Sequence, residues 1–291
     1  MVLAKGKLGV IGTGVMGQTL IRGLTQAKIV PASKIWGTAK TAESVARAKK
    51  ELGIEAVSDY EPLLATTEIL LLCVKPAGMT SVLKQLKEYH LPVETLVISI
   101  VAGTTLSEIE AGLGGKNPVI RAMPNTPCVV GEGMTVITAG THAKSAHMKI
   151  AQEIFQSVGH CMQLDEQHFD AVTALGGSGP AYMYLIMEAL ADGGVRVGLP
   201  RQAALQIVAQ TVLGAATMVR KSGRHPASLR DDVTTPAGCT IGALLTMEDG
   251  KIRSVLARAV EEATRIASRL GKQSGNVSAV DKQFERRTSE D

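Results

Sequence analysis

The sequence predicts an α/β protein in which an N-terminal, doubly wound and mostly parallel sheet is followed by a C-terminal region made only of helices. Two observations predict this fold class: short apolar runs alternate with amphipathic helical segments over residues 7–164, and after residue 166 the remaining segments all have helical spacing. At 291 residues the chain is long enough for two domains. We therefore expect one domain at 1–165, a helical domain at 166–275 and a flexible, charged tail at 276–291.

The first predicted strand, Lys7 to Ile11, runs directly into a glycine turn. Gly12, Gly14 and Gly17 follow it in G-x-G-x-x-G spacing and open a helix that continues through Leu24. In this context the first glycine permits a tight turn, the second lets a pyrophosphate approach the backbone, and the third lets the helix pack against the sheet. The helix N-terminus adds N–H donors and a favourable dipole. The pattern predicts a Rossmann-type dinucleotide-binding unit, with a purely structural turn as the alternative.

The alternation of strands and helices continues to residue 164, which predicts a parallel sheet covered on both faces. Ligands of such sheets bind beyond the carboxyl ends of the strands. At this edge, Lys75 follows one predicted strand, and Val101 and Ala102 follow the next. Lys75 is a candidate either for a catalytic cation or for a residue that lines the cofactor site. The further strands are predicted at 34–36, 54–57, 68–74, 95–100, 118–123, 134–139 and 160–164, and the helices at 41–52, 61–65, 78–89, 106–113 and 144–158.

The segment after the second predicted strand indicates which dinucleotide is preferred. A site for NAD would place an Asp or Glu here, about 20 residues beyond the glycine turn, to bind the ribose 2′-hydroxyl. This sequence has Gly37 to Thr41 instead, with the hydroxyls of Thr38 and Thr41 and the ammonium of Lys40. These groups favour a 2′-phosphate, so we expect NADP(H) to be preferred and NAD(H) to be possible. Lys40 as a merely solvated residue is the alternative.

The helical region contains an apolar stripe and two distinctive motifs. Apolar residues recur on one face from Pro200 to Lys221, which indicates pairing with another subunit. The glycine-rich stretch Gly176 to Tyr182 interrupts or caps a helix, and Thr234 to Thr240 precedes a helical run. The backbone N–H groups of Gly238, Cys239 and Thr240 are candidates to bind an anion such as a substrate carboxylate. Thr240 as an ordinary N-cap is the alternative.

Composition and charge argue against several other classes of protein. The net charge of +4 comes from 31 basic and 27 acidic residues without a Lys/Arg block, so we expect no nucleic acid partner. No apolar run reaches the length of a membrane span, and the N-terminus lacks an export signal, so we expect a cytoplasmic protein without a membrane partner. Neither the histidines nor the four cysteines have metal-ligand spacing, so we expect no metal.

Four motifs together resemble one protein family. They are CVKP (Cys73 to Pro76), RAMPNTP (Arg121 to Pro127), the run from Asp170 to Arg201, and HPASLRDDVTTPAGCTIGAL (His225 to Leu244). In order and spacing they resemble pyrroline-5-carboxylate reductase over roughly residues 7–270. The resemblance implies NAD(P)H-dependent reduction of 1-pyrroline-5-carboxylate to L-proline, the last step of proline biosynthesis. It also implies a helical domain that forms homodimers, often five of them in a decamer.

The resemblance also implies the site residues. Thr240 would act as hydrogen-bond partner of the imine nitrogen and proton relay. We expect the reaction centre to lie between the domains, with an intersubunit contribution. Two positions depart from the family pattern, Tyr60 near the adenosine side and Gly223 just before the His-Pro pair. The implied cofactor contacts are Ile11, Gly12, Thr13, Gly14, Val15, Met16, Gly17, Thr38, Lys40, Val74, Lys75, Pro76, Val101 and Ala102, and the implied substrate contacts are Val233, Gly238, Cys239 and Thr240.

Three alternative functions remain open. A reductase of a related cyclic imine, such as a six-membered ring, differs only in pocket shape. A 3-hydroxyacid dehydrogenase-like enzyme would need a lysine after the glycine-rich stretch, and none occurs between Lys149 and Lys221. A non-catalytic NADP-binding sensor or assembly protein would retain the fold without turnover.

Overall fold

The computed structural model describes residues 2–272 and contains one eight-stranded sheet followed by helices. The charged tail predicted at 276–291 lies outside the described residues. The strands are β1 (Lys7–Ile11), β2 (Ile35–Thr38), β3 (Glu55–Val57), β4 (Thr67–Leu72), β5 (Leu96–Ser99), β6 (Val119–Met123), β7 (Gly133–Ala139) and β8 (Gly159–Gln163).

The strand order is β3-β2-β1-β4-β5-β6-β7-β8, which contains the doubly wound arrangement of a dinucleotide-binding sheet. All pairs are parallel except β6 with β7, so the predicted mostly parallel sheet is confirmed. The chain reverses its direction of winding between β1 and β4. Their carboxyl ends therefore form the crevice in which such sheets bind ligands.

Helices cover both faces of the sheet, and each face has its own core. On β1 and β4, Leu8, Val10, Ile69 and Leu71 belong to one core, while the alternate residues contribute to the other, which also contains Trp36. This alternation follows from the two-residue period of a strand. The helices of this part are α1 (Val15–Gln26), α2 (Ala42–Leu52), α3 (Glu61–Leu64), α4 (Met79–Glu88), α5 (Leu106–Leu113), α6 (Ser145–Gln156) and α7 (Phe169–Val172).

After β8 the described chain is helical, as predicted. A π-helical turn, Thr173–Gly177, follows α7, and α8 begins at Gly179, so the glycine-rich stretch does interrupt a helix. The remaining helices are α8 (Gly179–Arg196), α9 (Arg201–Ser222), α10 (Pro226–Asp232), α11 (Cys239–Asp249) and α12 (Ile252–Lys272).

The chain divides into two compact units. The sheet unit comprises residues 2–178 and 263–272 of the described chain, and the helical unit comprises residues 179–262. Among residues 179–262, Ala191 and Ala204 are the buried side chains. The helix α9 is long and apolar enough to cross a bilayer by length and composition alone, and it is the one such helix among the described residues. The predicted division at residues 165 and 166 stays a prediction.

Candidate active site

The glycine turn lies where β1 passes into α1, at the crevice between β1 and β4. Gly12 has φ +101°, and a Cβ atom there would lie 2.7 Å from the carbonyl oxygen of Cys73. A Cβ on Gly17 would collide with the carbonyl oxygen of Gly12, so the helix can approach the turn only with glycine at this position. A Cβ on Gly14, in contrast, would meet no atom within 4 Å. The turn is therefore closed toward the protein and open toward a ligand.

The first turn of α1 presents unpaired donors at this opening. Gly14 is the N-cap residue, and no side chain caps the helix. The N–H groups of Val15, Met16 and Gly17 consequently have no acceptor within the helix, and the Val15 side chain is 73% exposed. Open space, free N–H groups and the positive end of a helix dipole suit the pyrophosphate of a dinucleotide. The residues present therefore fit the cofactor.

The end of β2 is tied to the glycine turn by hydrogen bonds. The hydroxyl of Thr38 accepts from the Gly12 N–H at 3.0 Å, and the N–H and hydroxyl of Thr13 both donate to the Thr38 carbonyl at 3.0 Å. Thr41 caps α2, where its hydroxyl accepts from the N–H of Ser44. Both threonine hydroxyls thus have internal partners, whereas the sequence alone suggested free phosphate ligands. Lys40 is exposed and remains the available cation.

The other predicted cofactor residues lie at the same edge of the sheet. Val74, Lys75 and Pro76 follow the carboxyl end of β4, and Val101 and Ala102 follow that of β5. Because β4 pairs with β1 and β5 pairs with β4, these segments are successive neighbours of the glycine turn. Val101 is buried, while Lys75 and Pro76 are exposed. The structure therefore brings the predicted cofactor residues together at one edge.

The predicted substrate residues lie in the helical unit, at the start of α11. Gly238 is the N-cap residue and Cys239 begins the helix, so the interpretation of Thr240 as the N-cap is wrong. The Gly238 N–H donates to the Thr235 carbonyl at 3.1 Å and is already paired. The available donors of this segment are the N–H groups of Cys239 and Thr240, which belong to the first helical turn. Val233, the fourth predicted contact, follows α10 and is 64% exposed.

The two departures from the family pattern have structural roles. Tyr60 is 7% exposed and stacks on Trp36 with ring centroids 6.1 Å apart, and its hydroxyl donates to Gln85 Oε1 at 2.9 Å. Burial, with smaller contributions from Tyr89 and Asp59, raises the pKa of Tyr60 to about 12. Tyr60 is thus a core residue. Gly223 has φ +65° and ends α9 as its C-cap.

The four cysteines differ in their burial. Cys128 and Cys161 are buried, Cys73 is partly buried and Cys239 is exposed, and all four are free. Burial raises the pKa of the Cys73 thiol to about 12 and that of Cys161 to about 11, so these two remain neutral at physiological pH. Within residues 2–272 no group of His, Cys, Asp or Glu side chains is arranged to hold a metal.

A segment that the sequence identified only through the resemblance also lies beside the site. After β6 the chain passes through Asn125 into a 3-10 turn, Thr126–Val130. Val129 and Val130 of this 3-10 turn line a cleft of about 480 Å³ together with Val15, the first residue of α1 after the glycine turn. A signal that could have identified this segment from the sequence is its position directly after a buried strand, the same signal that identified the segments after β4 and β5.

Comparison with known proteins gives consistent relatives over most of the chain. Residues 166–270 match the family described as pyrroline-5-carboxylate reductase dimerisation, and residues 7–103 match NADP oxidoreductase, coenzyme F420-dependent. Pyrroline-5-carboxylate reductases are 41% identical in Methanosarcina acetivorans (91% of this chain, 98% of the relative) and 39% identical in Arabidopsis thaliana (89% and 93%).

Solved structures give the same result. A pyrroline-5-carboxylate reductase from Coxiella burnetii is similar with a TM-score of 0.86 and 32% identity, over 92% of this chain and 100% of that one. The enzyme from Plasmodium falciparum with NADP bound has a TM-score of 0.81 and 33% identity, over 91% and 98%. Prephenate dehydrogenase from Aquifex aeolicus, at 14% identity and a TM-score of 0.53 over 86% and 99%, shares the fold alone.

Proposed function

This chain belongs to the pyrroline-5-carboxylate reductase family, and from that premise we propose how its residues carry out the family's reaction. The protein is an oxidoreductase that reduces 1-pyrroline-5-carboxylate to L-proline with NADP(H), the last step of proline biosynthesis. The observation that carries the assignment of residues is the pair of uncapped helix N-termini, one on α1 behind the glycine turn and one on α11 behind Gly238. Each offers backbone N–H groups to an anion.

The N-terminus of α1 binds the pyrophosphate of the cofactor. Its N–H groups at Val15, Met16 and Gly17 are unpaired, and the space at Gly14 is open. The cofactor supplies the hydride. The remaining contacts come from the other residues at this edge: Ile11, Gly12, Thr13, Thr38, Lys40, Val74, Lys75, Pro76, Val101 and Ala102.

Lys40 recognises the 2′-phosphate that distinguishes NADPH from NADH. It is exposed at the end of β2, beside the N-terminus of α2, and no carboxylate stands at residues 37–41 to repel a phosphate. Thr38 contributes through its remaining hydroxyl proton while its oxygen holds the glycine turn. NADH remains usable, since the other contacts do not involve the 2′ position.

The N-terminus of α11 binds the substrate. The N–H groups of Cys239 and Thr240 hold the carboxylate, and Val233 and Gly238 shape the segment around it. The Thr240 hydroxyl hydrogen-bonds the imine nitrogen and relays a proton to it. A protonated imine is already an electrophile, so alignment of its carbon with the hydride donor is the main catalytic demand.

The helical unit forms the homodimer. The family match covers a dimerisation region, and the helices of this unit expose leucine, isoleucine and methionine side chains. A pentamer of such dimers is the proposed full assembly, and the cytoplasm is the proposed compartment. We divide the chain into a cofactor domain at 1–165, a substrate and dimerisation domain at 166–275, and a tail at 276–291.

The reaction is tested by the loss of reduced-nicotinamide absorbance with 1-pyrroline-5-carboxylate, using NADPH and NADH in separate assays and the six-membered imine analogue as a parallel substrate. The expected result is rapid turnover of the five-membered imine, faster with NADPH. Faster turnover of the six-membered ring would make the protein a reductase of a related cyclic imine. NADPH binding without turnover of either imine would contradict the proposed roles of Cys239 and Thr240.

A further inference from the structure

We propose that Asn125 is a positioning residue for hydride transfer, because its side chain holds the π-helical turn Thr173–Gly177 at the carboxyl end of β6. The inference rests on the proposed function. It concerns a residue outside the cofactor and substrate contacts assigned above, and it acts through the backbone of that turn.

Both ends of the Asn125 carboxamide are in use. Its Nδ2 donates to the carbonyl oxygen of Gly176 at 3.0 Å, and its Oδ1 accepts from the N–H of Met134 at 2.8 Å. One bond reaches the π-helical turn, and the other reaches the first residues of β7. The two bonds fix the orientation of the amide, since exchanging its nitrogen and oxygen would break both. The side chain therefore joins two segments that lie far apart in the sequence.

The sequence of the turn explains why Gly176 needs a side-chain donor. In a regular α-helix its carbonyl would accept from the N–H of residue 180, but that residue is Pro180, which has no N–H. The turn instead closes with a wider bond, from the Ser178 N–H to the Thr173 carbonyl at 2.9 Å. Asn125 supplies the donor that Pro180 lacks. The carboxamide of Asn125 can donate to Gly176 and accept from the Met134 N–H at the same time.

The turn packs closely against the end of β6, so its position depends on a specific contact. A Cβ on Gly177 would lie 2.8 Å from Cε of Met123, the last residue of the strand. The helix before the turn is anchored separately: Arg121 lies 4.7 Å over the Phe169 ring and pairs with Glu166 at 2.8 Å. Asn125 therefore holds the π-helical turn, and it takes no part in the contacts of Arg121 with Phe169 and Glu166.

The strand order places this turn on the nicotinamide side of the cofactor. Lys40, at the end of β2, marks the adenosine side, and the pyrophosphate lies at α1. The other half of a dinucleotide extends past the switch point toward the ends of β4, β5 and β6. Asn125 and the π-helical turn follow the last of these strands. A shift of this turn therefore disturbs the reacting end of the cofactor and leaves the adenosine end in place.

The test uses Asn125→Asp with Asn117→Asp as the matched control. Asp at 125 keeps an acceptor for the Met134 N–H and removes the donor to Gly176. Asn117, just before β6, is buried, and its Nδ2 donates to the carbonyls of Pro92 and Thr95, before β5, at the opposite edge of the sheet. Each variant loses hydrogen bonds donated by a side-chain amide, so both are expected to lose thermal stability. A merely structural role predicts the same kinetics for the two.

The readouts are turnover per NADPH-binding site, the Kd of NADPH, and the isotope effect with NADPH deuterated at the transferred position. For Asn125→Asp we expect turnover to fall at least ~10-fold, because a misaligned nicotinamide and imine react more slowly. We expect the Kd of NADPH to stay within ~2-fold of the wild-type value and the isotope effect to be at least as large as in the wild type. For Asn117→Asp we expect turnover per site to be unchanged.

Wild-type turnover per site in Asn125→Asp would overturn the inference, as would an equal loss in both variants. An isotope effect below that of the wild type would also overturn it, because hydride transfer would then not be the impaired step. Absence of turnover in the wild type would refute the proposed function instead. The two failures are therefore distinguishable.

Discussion

The sheet unit and the helical unit bury their apolar residues to very different degrees. The sheet unit fully encloses large side chains such as Trp36, Phe155 and Phe169. Across residues 179–262, in contrast, Ala191 and Ala204 are the buried side chains, while Ile207 and Leu213 of α9 are 55% and 56% exposed. A helix that is apolar on several sides is stable in water only when another surface covers it. The sheet unit therefore buries its large apolar side chains within one chain, whereas the helical unit exposes an apolar surface suited to oligomer formation.

The largest effect is expected from a charge on the exposed face of α9. Leu213→Glu should abolish the dimer and lower the melting temperature, because a buried leucine contributes ~1.5–3 kcal/mol and an unpaired carboxylate at the same place costs more. Light scattering measures the oligomeric state, and thermal unfolding measures the melting temperature. Gln210→Glu, at an exposed position of the same helix, is the control with the same charge change. An unchanged dimer in Leu213→Glu would place the interface elsewhere.

The next effect separates the chemical role of the helical unit from cofactor binding. Thr240→Ala should lower turnover ~10-fold or more, on the scale of general acid–base contributions, while NADPH binding persists. Steady-state kinetics measures the turnover, and a direct binding titration measures the Kd of NADPH. Thr246→Ala is the control, because the Thr246 hydroxyl donates to the Gly242 carbonyl of the same helix. Full kcat/KM in Thr240→Ala would remove the hydroxyl from the mechanism.

A third change tests the cofactor role of the sheet unit alone. Lys40→Glu should lower the ratio of kcat/KM for NADPH to that for NADH by about 10-fold, since a carboxylate repels a 2′-phosphate and accepts from a 2′-hydroxyl. The dimer should be unaffected. Lys50→Glu, exposed near the end of α2, is the matched control. An unchanged ratio would mean that other groups hold the 2′-phosphate.

The smallest effect concerns the attachment of the N-terminal residues to β4. The Glu68 carboxylate accepts from the N–H groups of Ala4 and Lys5 at 2.7 Å and from that of Gly6. Burial acts to raise its pKa, but these three N–H groups and Lys34 outweigh it, and the pKa is lowered.

Because the folded pKa lies below the unfolded one, the stabilisation is present above the unfolded value and is lost as the pH falls through the folded value. The protection of the Ala4, Lys5 and Gly6 amides against hydrogen exchange, measured relative to the intrinsic exchange rate at each pH, should therefore fall on acidification in the wild type and be low at every pH in Glu68→Gln. Glu94→Gln, at an exposed position, is the control. Equal protection in wild type and Glu68→Gln would contradict the role of this carboxylate.

Most of the sheet unit could be predicted from periodicity and from the glycine turn. Buried parallel strands are continuous apolar runs, and this made β4 and β5 recognisable. The cofactor residues were predictable because the carboxyl ends of parallel strands meet at one edge. The helical unit was predictable as helical, and the apolar face of residues 200–221 indicated pairing with another subunit, while the homodimer was implied only by the resemblance.

Other features could not be predicted because they depend on contacts between distant residues. The Thr38 hydroxyl appears free in the sequence, but folding places it against the Gly12 N–H. Thr240 appeared equally suitable as an N-cap, and only the backbone geometry at Gly238 decides that the helix begins one residue earlier than Thr240. The antiparallel pairing of β7 with β6 likewise has no local signal.

The aromatic cluster around Trp36 has a spectroscopic consequence. Trp36 is the one tryptophan of the chain, it is fully buried beside β1, and its indole N–H donates to the Thr67 hydroxyl at 3.0 Å. Its fluorescence emission therefore reports the sheet unit and is silent about residues 179–262, whereas helical circular dichroism reports the helices of both units. Dilution of the protein should thus lower the midpoint seen by circular dichroism before the midpoint seen by tryptophan emission, so one thermal scan can follow the two units separately.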